Sequence, residues 1–160
     1  MASKKIILLG KYGVGKTSLI RQFVYNKFSD QYLTTIGVKI DKKVVSLDNK
    51  EVNLLIWDIA GESDQKKVPA SYKLGSHAAI YVFDLTRPAT YENLNMEIAM
   101  LKQQVPNIPI ILVGNKKDLI PASQLESICE QIDIKVDLLT SAKTSENVET
   151  LFFKVAEFLI

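Results

Sequence analysis

Gly10-Lys11-Tyr12-Gly13-Val14-Gly15-Lys16-Thr17 decides how this 160-residue chain folds. The stretch fits G-x-x-x-x-G-K-[ST], a loop that cradles phosphate. Ile6 to Leu9, just before it, is an apolar run of strand length, and Ser18 to Asn26, just after it, reads as a helix. Strand, glycine loop and helix form the context in which the motif has physical meaning. A helix N-terminus carries unpaired N–H groups and partial positive charge, so it attracts anions. Gly13 and Gly15 let the backbone turn tightly and approach a phosphate closely. Lys16 reaches the terminal phosphates, and the Thr17 hydroxyl suits Mg²⁺.

Downstream, Lys27 to Gly37 has no period and reads as a loop. Val38–Leu47 and Val52–Ile59 read as a hairpin turned by Asp48-Asn49-Lys50. Gly61 to Lys67 is polar and expected to be mobile, and Pro69 to Leu74 to form a short helix. Ala78–Phe83, Ile110–Val113 and Lys135–Leu139 are strand candidates. Thr90–Gln104, Ser123–Ile132 with Ser123 as N-cap, and Asn147–Ile160 have helical spacing. Short apolar strands alternating with helices predict an α/β fold in three layers. Its six-stranded sheet is mostly parallel, with one antiparallel edge strand and helices on both faces. Ligands bind such sheets at the carboxyl ends of strands. The loop at Gly10 is at one such end, as are Asp58, Asp84, Asn115 and Ser141, with Asp84 read as structural.

The totals narrow the classes. A 47% hydrophobic chain of this length suits one domain, residues 1–160, with a full core. A net charge of +2 with scattered lysine pairs predicts solvated surface and no nucleic-acid partner. Cys129 is the lone cysteine, which predicts neither disulfide nor thiolate metal site, and suits the cytoplasm. No apolar run reaches membrane-spanning length. Ala2 after Met1 and the lack of cysteine near Ile160 predict no lipid anchor in this chain, so membrane association would need a missing tail or a partner. His77, Trp57 and Cys129 read as packing residues.

Two further stretches specify the ligand. Asn115-Lys116-Lys117-Asp118 directly follows a strand and fits Asn-Lys-x-Asp. A carboxylate there can accept two hydrogen bonds from the N1–H and exocyclic amine of guanine. Adenine has no such pair of donors and would leave a buried charge unsatisfied, which costs several kcal/mol. Ser141-Ala142-Lys143 follows the last strand, where the Ala142 N–H can donate to a guanine oxygen. Asp58-Ile59-Ala60-Gly61 ends the hairpin. An Asp there can hold a metal-bound water, and the Gly N–H can meet a γ-phosphate. A Thr35 hydroxyl completes a Mg²⁺ shell once that phosphate is present. Six of seven glycines, all but Gly75, lie in or beside these segments.

The order of these pieces resembles a small GTPase of the Ras superfamily over essentially the whole chain. Trp57-Asp58 through Gly61, Thr34-Thr35-Ile36-Gly37-Val38 and Thr140 to Thr144 look most like the Rab branch. The resemblance implies a monomeric switch that binds GTP or GDP with Mg²⁺ and hydrolyses GTP. Gly13, Val14, Gly15, Lys16, Thr17 and Ser18 would hold phosphates. Phe28, Asn115, Lys116, Asp118, Ser141, Ala142 and Lys143 would hold the base, with Tyr32 over the phosphates. Thr17 and Thr35 would ligate the metal, with Asp58 in its outer shell. Lys16, Thr35, Gly61 and Glu62 would serve catalysis. Segments 27–37 and 61–75 would be the switch regions, meeting effectors, an exchange factor and an activating protein.

Two residues depart from the family pattern. Glu62 stands where Gln usually orients the attacking water, and a carboxylate has no N–H for the transferring phosphoryl group. Tyr12 replaces a small residue and crowds the space an arginine finger must enter. Together they imply slow intrinsic hydrolysis and a poor or atypical response to activating proteins, unless Glu62 acts as a base, another residue positions the water, or Tyr12 folds outward. They leave open a GTP- or GDP-loaded interaction module with little or no turnover. A P-loop kinase or ATPase is the third reading, opposed by Asn115 to Asp118.

Overall fold

The computed structural model describes residues 1–31, 35, 37–61 and 68–160. Six strands form one sheet: β1 (Ala2–Gly10), β2 (Val38–Leu47), β3 (Lys50–Ile59), β4 (Ala78–Asp84), β5 (Ile110–Asn115) and β6 (Leu138–Leu139). Their order is β2-β3-β1-β4-β5-β6, with β2 antiparallel to β3 and every other pair parallel. The chain leaves β1 for β3 on one side and β4 on the other, so the loop after Gly10 emerges where the strand order reverses. Crevices at such points are where open α/β sheets take ligands.

The helices are α1 (Lys16–Tyr25), α2 (Leu94–Gln104), α3 (Ala122–Glu130) and α4 (Val148–Leu159). Successive strand residues point to opposite faces, so β1 serves two cores. Ile6 and Leu8 pack with Leu19, Ile20 and Phe23 of α1 and Leu151, Phe152 and Val155 of α4. Ile7 and Leu9 pack with Leu94, Ile98 and Leu101 of α2, while Leu125 and Ile128 of α3 lie against the same cluster. The expected three layers and mixed sheet are therefore present.

Boundaries shift for local reasons. The hairpin turns on Asp48 and Asn49 alone, at φ of +48° and +65°, so β3 begins at Lys50. Both residue types tolerate the left-handed geometry that a two-residue hairpin demands. Segment 69–74 is a 3₁₀ turn, Ala70–Lys73. Helix α2 starts at Leu94 rather than Thr90. The Thr90 hydroxyl instead accepts from Asp84 N–H and donates to the Arg87 carbonyl, closing the turn after β4. Ser123 is not the N-cap of α3: Pro121 occupies that position, and the helix begins at Ala122. Strand β6 is two residues long because Asp137 Oδ2 already accepts the Leu112 N–H that a longer ladder would use. Segment 61–67 beyond Gly61, with its expected mobility, lies outside the described residues. No helix among the described residues is long and apolar enough to cross a membrane.

Candidate functional site

A cleft of about 250 Å³ opens at the carboxyl ends of β1, β3 and β5. The Gly10–Thr17 loop forms its floor. Gly15 is the N-cap of α1 at φ +103°, with Lys16 the first helical residue. A Cβ at Gly15 would lie 2.2 Å from Asn115 Nδ2, so the position takes only glycine on both conformational and steric grounds. The first turn of α1 therefore faces the cleft with its N–H groups uncapped by any side chain among the described residues. Lys16 is buried, and its ammonium lies 3.4 Å from the Gly10 and Lys11 carbonyls.

Beside this floor, three oxygens from distant segments converge. Thr17 Oγ1 donates to Asp58 Oδ2 at 2.6 Å, and Thr35 Oγ1 lies 2.6 Å from Thr17 Oγ1 and 3.3 Å from Asp58 Oδ2. The hairpin makes this possible. Its antiparallel register sets Val38 opposite Ile59, and Ala60 N–H donates to the Gly37 carbonyl, which delivers Thr35 to Asp58. Asp58 is buried, and its Oδ1 has no hydrogen-bond partner among the described residues. Burial raises its carboxyl above the usual aspartate range, opposed by the Thr17 hydroxyl and the Lys16 charge. Two hydroxyls and an under-satisfied carboxylate are hard oxygen donors, the set that suits Mg²⁺.

The opposite end of the cleft is built from β5 and the segment after β6. The Asn115 side chain is almost wholly buried. Its Nδ2 donates to the Val14 carbonyl at 3.1 Å, while its Oδ1 accepts from Thr140 Oγ1 at 3.0 Å and Ala142 N–H at 3.3 Å. Asp118 accepts from Ser141 Oγ at 2.8 Å. Lys116, in the left-handed region at φ +69°, donates to the Gly13 carbonyl at 2.9 Å. Phe28, Asp118, Ala142 and Lys143 line this end.

A Ras-family sequence model matches residues 5–160. The chain belongs to the Ras family. It is 38% identical over 161 residues to Ras-related protein Rab-4B of Rattus norvegicus, covering 98% of this chain and 76% of that protein, and equally to the Homo sapiens Rab-4B. It is 37% identical over 157 residues to Ras-related protein RABA1b of Arabidopsis thaliana, covering 94% and 72%. It is thus a Rab-like small GTPase, with the GTP-binding switch character of that group.

In this Rab-like GTPase most of the sequence-derived site residues meet at one place. Gly13, Gly15, Lys16, Thr17, Ser18, Phe28, Thr35, Gly61, Asn115, Lys116, Asp118, Ala142 and Lys143 all line the cleft. Val14 and Ser141 stand one layer behind it: Val14 is buried, with its carbonyl held by Asn115, and Ser141 is buried with its hydroxyl on Asp118. Asp58 too acts from behind Thr17. Tyr32 and Glu62 lie outside the described residues. Tyr12 is half-exposed at the cleft wall, beside Gly61.

Sequence reasoning missed Thr140 and Gln22. Thr140 is fully buried on Asn115, and Gln22 Nε2 donates to the Ala142 carbonyl at 2.8 Å. Thr140 had a signal, since it closes the last strand directly before Ser141. Gln22 had none, because its partner is 120 residues away. Asp84 is structural as read, and fully buried, with Oδ2 2.8 Å from the Lys116 ammonium. His77 Nδ1 accepts from Lys5 N–H, and Trp57 carries the Lys5 ammonium 3.6 Å from its ring centroid.

Proposed function

We propose that residues 1–160 form one G domain that binds GTP and GDP with Mg²⁺ in this cleft and hydrolyses GTP slowly. The observation that supports it best is the pinning of Asn115 to both Val14 and Ala142. One buried amide joins the loop suited to phosphate to the segments suited to guanine. Asp118, steadied by Ser141, accepts the guanine N1–H and amine, and the Ala142 N–H, loosely held on Asn115 Oδ1 at 3.3 Å, is shared with the base oxygen. Phe28 and the stems of Lys116 and Lys143 cover the ring faces. The N–H groups of Gly13 to Ser18 and the Lys16 ammonium hold the phosphates.

Thr17 and Thr35 would ligate Mg²⁺, with Asp58 accepting from its water shell, and the ion would neutralise phosphate charge there. Thr35 meets Thr17 and Asp58 from the segment just before β2, so loss of the γ-phosphate releases segment 27–37, and loss of the Gly61 N–H contact releases 61–75. Lys16 and Gly61 stabilise charge on the transferring group. Glu62 accepts from the attacking water without donating to the phosphoryl oxygens, which keeps turnover low. Effectors, an exchange factor and an activating protein read these two segments on a cytoplasmic monomer.

Two measurements test this. The nucleotide retained on purification is expected to be a guanine nucleotide, and ATP is expected not to displace it. Single-turnover hydrolysis is expected to be slow without a partner. Retained adenine nucleotide, or unchanged GDP affinity in Asp118→Asn, overturns the base assignment. A fast intrinsic rate overturns the assigned effect of Glu62 and Tyr12, and no turnover at all favours the interaction module.

A further inference from the structure

Three consecutive peptide units of the phosphate loop are held from behind. The Tyr12 carbonyl accepts from Arg87 Nη1 at 2.9 Å, the Gly13 carbonyl from Lys116 Nζ at 2.9 Å, and the Val14 carbonyl from Asn115 Nδ2 at 3.1 Å. A trans peptide carries its N–H on the side opposite its C=O. No peptide bond among the described residues is cis. Fixing these three carbonyls therefore fixes the N–H groups of Gly13, Val14 and Gly15 on the other side. Gly13 and Gly15 line the cleft. Successive N–H groups aimed into one concavity make an anion nest.

Lys116 and Asn115 belong to the Asn-Lys-x-Asp stretch, whereas Arg87 belongs to no motif. It sits in the turn that follows β4. Its geometry is nonetheless set from two sides. Asp84 is fully buried, and its Oδ2 lies 2.8 Å from Lys116 Nζ and 3.8 Å from Arg87 Nη1. Its Oδ1 accepts from both the N–H and the hydroxyl of Thr86, which shapes the turn carrying Arg87. A buried carboxylate needs cationic compensation. Here two cations flank one carboxylate and donate to adjacent carbonyls of the loop. The Tyr12 backbone also meets Gly61 closely: a Cβ at Gly61 would lie 2.5 Å from Tyr12 Cα and 2.7 Å from Tyr12 N. The residue that Arg87 holds is therefore the one on which Gly61 sits.

We propose that Arg87 is a positioning residue for phosphate binding. It acts through the Tyr12–Gly13 peptide, keeping the Gly13 N–H turned into the cleft and the Tyr12 backbone seated under Gly61. The role rests on the guanine-nucleotide reading of the cleft and adds to it a residue outside every motif. It makes a specific demand. Arg87 must matter for the phosphates and not for the base, because Asp118, Ser141 and Ala142 are held by other partners.

The test uses the full chain with Arg87→Met, which keeps the aliphatic stem, and Arg87→Lys, which keeps a cationic donor. Release of fluorescent GDP and of a non-hydrolysable GTP analogue is timed, and guanosine affinity is measured by competition. The backbone amide resonance of Gly13 is followed in the GDP-loaded protein. For Arg87→Met, release of both nucleotides is expected to accelerate about tenfold, the loss of one charge-assisted hydrogen bond. Guanosine affinity is expected to stay within about twofold, since the base contacts are untouched. The Gly13 amide is expected to shift in Arg87→Met and to move back toward the parent position in Arg87→Lys, with partial recovery of release. Release within twofold of the parent in Arg87→Met overturns the proposal. So does equal weakening of guanosine and GDP, the mark of general loosening. Failure of the parent chain to bind GDP overturns instead the guanine reading, and is seen before any variant is compared.

Discussion

Replacing Asn115 by Ala removes a single side chain that three segments share. Its carboxamide satisfies the Val14 carbonyl, the Thr140 hydroxyl and the Ala142 N–H, and all three contacts are buried. A buried polar group deprived of its partner costs about 1–3 kcal/mol, and water entering from the cleft recovers part of that. Three such groups put the loss at about 3–5 kcal/mol, more than a typical point mutant. Part of it falls on folding and part on the ligand, because release of the Val14 carbonyl frees the Gly15 N–H to turn. About 2 kcal/mol in binding corresponds to GDP release some 30-fold faster. Thr140→Val removes only one of the three contacts at nearly constant shape. It is expected to cost about 1 kcal/mol and to leave release within about threefold. Urea unfolding at fixed GDP, followed by the fluorescence of Trp57, the sole tryptophan, gives the first quantity. Stopped-flow displacement of fluorescent GDP gives the second. The reasoning is refuted if Asn115→Ala loses less than about 1 kcal/mol, or if Thr140→Val weakens the protein as much as Asn115→Ala does.

Gly61→Ala forces a methyl to within 2.5 Å of Tyr12 Cα, so the chain after β3 must move off the phosphate loop. Single-turnover hydrolysis is expected to slow by about a hundredfold while GDP release changes little, since misplacement by an ångström has that cost; equal effects on both would contradict the assignment. Phe152 is fully buried and stacks on Phe23 with centroids 4.2 Å apart. Phe152→Ala is expected to cost about 3–5 kcal/mol in urea unfolding with no change in guanine-over-adenine preference. The Tyr25 phenol is held above its ordinary value, first by its hydrogen bond to Asp41 and then by the Asp41 charge. A phenol raised on folding contributes stability that is present below its unfolded value and lost as pH rises through the folded one. Its ring carbon resonances are expected to titrate later than those of a free tyrosine, and earlier in Asp41→Asn than in the parent. Titration unchanged by that substitution would dismiss the Asp41 contact as its cause.

Much of the molecule is local in the chain and legible there. The strand, loop and helix around Gly10–Thr17 follow from neighbouring residues alone, and the unbroken apolar run of Ile6 to Leu9 fits a strand with a core on both faces. Asn115 to Asp118 could be placed at a strand end because the apolar run before it stops there. Errors arose where a side chain left its own element. Thr90 opens a stretch of helical spacing, but its hydroxyl is used on the backbone of β4. Lys135–Leu139 has the look of a full strand, and nothing in it reveals that Asp137 takes a ladder position.

By itself the sequence determined the ligand class and the order of the motifs, since both depend on residue types at fixed short spacings. Only the tertiary structure decided which residues share a hydrogen bond. The Tyr12, Gly13 and Val14 carbonyls are held by residues 75, 103 and 101 positions away. Thr35 reaches Asp58 through the hairpin register. Those partnerships depend on strand order, on register and on where a buried carboxylate such as Asp84 finds its cations. They are set by the packing of the whole sheet, and no short stretch of chain carries them.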